Sequence, residues 1–408
     1  MSFVLLMLAG PLLLWALTQQ KLRRLGITGP LLMTGLGAVI GWSITADSVV
    51  FFDSKLALYL AEIVLAVLLF VDAVDIKGPL KSHFSAVPLR LLGVALPLSL
   101  ALVMVVGLAL PLELSVVAVL AITCIAVPVD FSPELSIIRD SRIPVSVRRW
   151  LGIESGYNDG LVAPFLLASL ALATTSGDPG EQAAAAFLKA APAGAIAIVV
   201  GLAVGTLAGW LFRAAGDSRW ADLHSLRLGV LALPLLTFAL SVMAHGNGFV
   251  AAFVCGVTFR IALSPGGKDE TEHAAEFSLV EDVAGLVNLI LWLAFGVVSV
   301  ALLVGNYNWW PAVVLAVFVL TLGRIGPVLV SLIGSSVSWR DRTFMAVMGP
   351  RGAASIVFGL IAFNALPEDD GAAVLVATCF IVFGSLIIHG VGAPLVIRKL
   401  YGRSEASS

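Results

Sequence analysis

The chain has 408 residues, 59% of them hydrophobic and 12% charged, with a mean hydropathy of +1.03 and a formal net charge of -2. Its charged fraction is about half that of an ordinary soluble domain, which excludes a water-soluble globule. A net charge this close to zero, with scattered Lys and Arg, excludes a nucleic-acid-binding surface.

Apolar runs of about 20 residues recur from end to end, the length that a helix needs to cross a bilayer. They are continuously apolar, as in Val103–Leu110, and lack the alternation of an outer-membrane barrel. The expected fold is therefore an all-α polytopic membrane protein in the lipid bilayer. Breaks at Gly, Pro and charge place about 13 spans, near 3–20, 28–46, 56–75, 85–110, 114–132, 149–175, 184–213, 225–243, 246–264, 279–304, 307–334, 342–364 and 370–399. Met1 to Gln20 carries no basic residue ahead of its apolar stretch, so it reads as a retained first span and not as a leader.

Lys and Arg collect on the cytoplasmic side of short loops. Starting from Lys21, Arg23 and Arg24, every second loop is basic, with Lys77, Lys81, Arg139, Arg142, Arg219, Lys268, Arg340 and Arg403 among them. The opposite side holds Lys55 and Lys189 and is acidic, with Asp47, Asp53, Asp178 and Glu368. This predicts an odd number of spans, the N-terminus outside and the C-terminus inside. Arg324 and Arg351 fall within spans, where a charge needs a buried partner.

Regions 85–175 and 307–399 each read as a long helix, a Pro/Gly-interrupted helix and another long helix. They start an odd number of spans apart, the pattern of inverted-topology repeats. The interruptions, Ala126–Pro133 and Met348–Ser355, contain Asp130 and Arg351. Broken helices at matching positions mark a transport site near the midplane, because unwound backbone is tolerated there only beside a cavity or within protein.

The sixth span opens with Gly152-Ile-Glu154-Ser155-Gly-Tyr-Asn158-Asp159-Gly160. At helical spacing Ser155 and Asp159 share one stripe, and Glu154 and Asn158 the next. Hydroxyl, carboxylate and carbonyl oxygens suit a hard monovalent cation such as Na+. One carboxylate in a poorly solvated cavity can hold either that cation or a proton. Competition for the same group is a physical basis for exchange.

These residues resemble a known family. Glu154-Ser155-x-x-Asn158-Asp159 is similar to the motif of NhaP/NHE-like sodium/proton antiporters in the first cation/proton antiporter family. Leu68–Ala73, with Asp72, resembles the acidic motif of the family's third helix. Gly349-Pro350-Arg351-Gly352-Ala353 resembles its Arg-Gly-Ala motif, and Arg324 its arginine on the preceding span.

The resemblance implies that Asp159 binds ion and proton, with Ser155, Asp72 and the backbone at Val129 as further Na+ ligands. Asn158 stands where the other branch of the superfamily has a second aspartate, which implies electroneutral exchange. Glu154 is expected to pair with Arg351. Many relatives have Thr-Asp where this chain has Val129-Asp130, so a hydroxyl is lost there while the backbone carbonyl remains. The implied activity is secondary antiport of Na+ or Li+ for H+ in pH homeostasis, in the plasma membrane, by a homodimer with no cofactor and no enzymatic reaction. Helices in 1–75 and 220–306 would form scaffold and dimer contacts, 85–175 and 307–399 the transport core, 184–213 a linker, and 400–408 a short cytosolic tail.

Some readings stay open on the residues alone. Asp72 is an ion ligand or a helix-end charge; Asp130 is an ion-path residue or a compensator of helix dipoles. Glu281 and Asp282 are N-terminal helix charges or part of an ion funnel. The Gly201, Gly205, Gly209 run is an intramolecular or a dimer packing face. Five lone histidines, His389 among them, argue against a metal site, and three scattered cysteines argue against disulfides. The competing functions are K+/H+ antiport, a channel, or an ion or pH sensor on the same scaffold. No phosphate-binding loop of an ATP-driven pump is present.

Overall fold

The computed structural model describes residues 2–43, 55–76, 84–173, 179–264, 274–304 and 309–402, which are helical with no strand. Predictions on Asp47, Asp53, Lys77, Lys81, Asp178, Lys268, Arg403 and the tail beyond Gly402 lie outside the described residues. So does any account of His83 and His273.

The helices in chain order are α1 (Ser2–Arg24), α2 (Gly29–Ser43), α3 (Lys55–Asp75), α4 (Ala86–Ala109), α5 (Val116–Ala126), α6 (Leu135–Arg139), α7 (Val145–Ala173) and α8 (Pro179–Asp217). They continue with α9 (Leu223–Met243), α10 (Gly248–Leu263), α11 (Ala274–Val304), α12 (Trp310–Ser331), α13 (Trp339–Val347), α14 (Ala353–Ala365) and α15 (Glu368–Tyr401). Among the described residues, seven of these are long and apolar enough to cross a membrane, and α2, α5, α10 and α14 are shorter apolar helices. Each apolar run read from the sequence coincides with one helix, or with two half-helices around a break.

Several ends differ from the expected ones. α7 starts at Val145, and its first turns carry the half-buried Arg148, whose Nε donates to the Ile143 carbonyl at 3.1 Å, and the exposed Arg149. α8 runs 39 residues through Pro192, well past the expected 184–213. α11 begins at Ala274, so Glu281 and Asp282 stand on an exposed face two turns inside the helix and not at its first turn.

The glycine run on α8 is an intramolecular seam. A Cβ on Gly205 would meet Thr258 Oγ1 at 2.1 Å and the Cys255 carbonyl at 2.6 Å, and Gly201 and Gly209 abut α10 in the same way. Small residues thus let two backbones approach closely where apolar lipid supplies no hydrophobic drive to bring helices together. The α2–α11 crossing uses the same device: a Cβ on Gly37 would lie 2.1 Å from the Leu293 carbonyl.

The largest buried apolar cluster runs through α5, α7, α12, α14 and α15 and includes Ile122, Val162, Leu315, Val357 and Val382. A second cluster, with Phe131, Leu151, Val328 and Phe344, packs around the two helix breaks.

Candidate functional site

Two helices stop in the interior for the same local reason. α5 ends at Ala126 before Pro128, and α13 ends at Val347 before Pro350; proline lacks the amide that would continue each ladder. The unwound stretches 127–131 and 348–352 meet. The Asp130 amide donates to the Pro350 carbonyl at 2.9 Å. The Ser355 hydroxyl donates to the Ile125 carbonyl at 2.9 Å, and the Arg351 Nε donates to the Ala126 carbonyl. Arg351 Nη1 also donates to the Gly349 carbonyl. A cation thus occupies the negative, C-terminal end of α5, where the last carbonyls lack intrahelical donors.

Asp130 lies at the opposite kind of helix end. Its carboxylate accepts from the Ser132 amide and hydroxyl at 2.7 and 2.8 Å and from the Ala353 amide in the first turn of α14. Gly352 passes so close that a Cβ there would fall 1.7 Å from Asp130 Oδ2. An acid at a positive helix N-terminus is the dipole-compensating geometry.

α7 runs beside this crossing. The Ser155 hydroxyl accepts the Phe131 amide at 3.2 Å, which ties α7 to the first unwound stretch. Glu154, Asn158 and Asp159 are at most 2% exposed. Asn158 Oδ1 is buried and finds no hydrogen-bond partner among the described residues. Asp72 sits near the end of α3, where its carbonyl lies 3.4 Å from a Cβ built on Gly156 of α7. The charges of Asp130 and Asp159 both act on Asp72, and those of Asp130 and Arg351 act on Asp159. Val129 is fully buried in the unwound stretch next to Asp130. The structure therefore brings Asp72, Val129, Asp130, Ser155, Asn158, Asp159 and Arg351 into one region.

The ion pair differs from the expected one. Glu154 is held by Arg324 and not by Arg351: Nη1 meets Oε1, and Nη2 meets Oε2 at 2.9 Å. Arg324 Nη2 also reaches the Met345 and Met348 carbonyls at 3.2 and 3.4 Å, at the C-terminal end of α13. Each buried arginine thus serves the end of one half-helix. Arg324 takes the carboxylate as well, because α12 brings its guanidinium beside α7. Arg351 is committed to backbone carbonyls at the crossing.

Sequence reasoning passed over two groups here. His389 and Ser385 on α15 accept the amides of Gly349 and Arg351. Glu134, past the end of the first break, is 3% exposed and packs on Gly390, whose added Cβ would lie 2.9 Å from Oε1.

Among curated proteins, the chain is 24% identical over 280 residues to a probable Na(+)/H(+) antiporter of Schizosaccharomyces pombe, with 61% of this chain and 35% of that protein matched. It is 21% identical over 281 residues to a second Na(+)/H(+) antiporter of that organism, with 63% of this chain and 58% of that protein matched. It is 24% identical over 286 residues to the Na(+)/H(+) antiporter of Saccharomyces cerevisiae, with 62% and 28% matched. The matched segments span from about a quarter to under two thirds of these relatives' lengths. Among solved structures, the sodium proton antiporter MjNhaP1 from Methanocaldococcus jannaschii superposes with a TM-score of 0.77 at 21% identity, covering 97% of this chain and 98% of that one. The fold is therefore that of the NhaP antiporter. The family model described as "Sodium/hydrogen exchanger, transmembrane" matches residues 9–399, and the chain belongs to this family of membrane proteins.

Proposed function

We propose that this chain is a secondary antiporter that exchanges Na+, or Li+, for H+ by competition at Asp159. The observation that carries this reading is the buried Asp159 carboxylate beside Ser155, where the Phe131 amide ties α7 to the crossing of two unwound backbones. A spanning chain tolerates unwound backbone only when it is buried in protein or lines a cavity, and here the crossing also carries hard oxygen groups. Among the described residues, no three acidic, His or Cys side chains converge as a ready-made metal cage. In this reading the cation takes a mixed set: Asp159, the Ser155 hydroxyl, the unpartnered Asn158 Oδ1, Asp72 and a backbone carbonyl near Val129. Such a weak, mixed set suits a cargo that must leave again.

Charge counting supports one-for-one exchange. Glu154 is neutralised by Arg324 and Asn158 is an amide, which leaves Asp159 as the group that trades a proton for a cation. Binding Na+ releases one proton, so both loaded forms carry the same net charge. In the same reading, helices of 85–175 and 307–399 form the moving core and act as inverted repeats. Helices of 1–75 and 220–306 form the scaffold of a homodimer in the plasma membrane, with the N-terminus outside.

The test is purified protein in proteoliposomes under an imposed pH gradient, with Na+, Li+ and K+ added in turn. The expected result is dissipation of the gradient by Na+, with Li+ also active. Dissipation by K+ alone would assign the chain to K+/H+ exchange, and no response to any cation would refute antiport.

A further inference from the structure

The stretch 348–352 leaves the helical ladder inside the protein, so each of its amides needs a named acceptor. Met348 still donates to the Phe344 carbonyl at 2.9 Å, and Pro350 has no N–H to satisfy. Of the remaining three amides, Gly349, Arg351 and Gly352, the first two are met from α15. The Gly349 amide donates to His389 Nε2 at 3.3 Å, and the Arg351 amide donates to the Ser385 hydroxyl at 2.7 Å. Both acceptors stand one turn apart on α15 and are 1% exposed.

The local winding of α15 fits this use. From Leu386 to Val391 the helix adopts a π turn, a feature common at functional sites. There His389 Nδ1 lies 3.1 Å from the Ser385 carbonyl and 3.2 Å from its hydroxyl. The tautomer with hydrogen on Nδ1 donates back to Ser385 and leaves Nε2 as the acceptor for Gly349. The other tautomer would donate from Nε2 to the Val347 carbonyl, 3.3 Å away, and would orphan the buried Gly349 amide. Satisfying both groups selects the Nδ1–H form.

We propose that Ser385 and His389 are positioning residues for the ion site: they clamp the unwound 348–352 stretch from the side opposite Asp130, and so fix the crossing against which Ser155 and Asp159 are set. The clamp acts through a short chain of contacts. Gly349 and Arg351 are held by α15; Pro350 between them accepts the Asp130 amide; Phe131, next to Asp130, donates to Ser155; Asp159 follows one turn along α7. The aspartate is thus positioned by groups on four different chain segments, and α15 supplies the outermost one. This role rests on the antiport reading above for its transport consequence, but not for its structural one.

The experiment exploits side-chain reach. A glutamine amide places its oxygen near the position of Nε2, whereas an asparagine amide stops near that of Nδ1. His389→Gln therefore keeps an acceptor for Gly349, and His389→Asn, equally polar, does not. The full-length variants are compared in proteoliposomes for the KM for Na+ and for kcat, and in detergent for amide hydrogen exchange of peptides covering 345–352. His389→Asn and Ser385→Ala should expose this stretch to faster exchange and raise the KM for Na+ on the order of tenfold, the cost of one unsatisfied buried donor. His389→Gln should restore both toward wild type.

A merely structural role would lower kcat or yield equally in the Asn and Gln variants, without a KM shift that Gln rescues. Equal exchange at 345–352 in wild type and His389→Asn would overturn the clamp itself, and faster exchange with an unchanged KM would overturn its role in setting the ion site. If wild type shows no Na+-driven flux, the antiport reading fails while the exchange contrast between Asn and Gln still decides the clamp.

Discussion

The Asp130 amide donates to the Pro350 carbonyl at 2.9 Å, so two stretches of backbone that have each left their helices satisfy one another in the interior. The residues around this bond follow the electrostatics of helix ends. Arg351 meets the C-terminal carbonyls of α5, and Asp130 meets the first turn of α14. Gly352 is the position at which the two approach most closely. A Cβ there would fall 1.7 Å from Asp130 Oδ2 and 2.8 Å from its Cβ, so the whole carboxylate-bearing side chain stands in the way. Gly352→Ala should therefore destabilise the protein by ~1–3 kcal/mol as an overpacked site and abolish transport. Gly326→Ala, where nothing lies within 4 Å, should leave thermal stability and flux near wild type. Thermal unfolding of both variants in detergent, followed by flux assays, checks the contrast.

The Glu154–Arg324 pair is buried and bidentate, with side chains 2% and 7% exposed. Removing one partner strands the other's charge, at a cost on the order of 3–5 kcal/mol. Glu154→Gln and Arg324→Met should each lower the unfolding temperature sharply, and the double variant should recover part of the loss. The corresponding cycle between Glu154 and Arg351 should show weaker coupling, because no direct bond joins them. Strictly additive losses for Glu154 and Arg324 would show that the observed contact contributes nothing.

How far the sequence exposed this arrangement can be seen residue by residue. The spans and both breaks were legible because apolar length acts locally and each break pairs a proline with an ionisable residue; proline alone does not end a helix here, since α8 continues through Pro192. The motif on α7 was legible because i, i+4 spacing puts Ser155 and Asp159 on one stripe. Glu154's partner was not. Arg324 and Arg351 are both intramembrane cations, and neither spacing nor composition says which guanidinium reaches across to α7. His389 read as an isolated histidine for a related reason, since the amide that it accepts is 40 residues away. Glu134 carried no signal at all; its burial follows from the way in which the chain turns after the break and packs against Gly390 of α15.

Voltage tests the stoichiometry. Under the proposed mechanism Glu154 is neutralised, Asn158 is uncharged and Asp159 alone exchanges its proton, so a K+/valinomycin potential should drive no Na+ uptake into proteoliposomes without a pH gradient. Asp72 and Asp130 lie within electrostatic reach of the site. Voltage-driven Na+ uptake would mean that one of them titrates in the cycle and that exchange is electrogenic.

The central claim is that a single carboxylate carries both ions in turn, and its most direct test is Na+-dependent proton flux in proteoliposomes containing Asp159→Asn. The substitution keeps the size of the side chain and removes the group that can hold either the proton or the cation's counter-charge. With insertion and thermal stability at the wild-type level, the predicted flux is indistinguishable from that of protein-free liposomes. Flux that still depends on Na+ in this variant would contradict competition at Asp159.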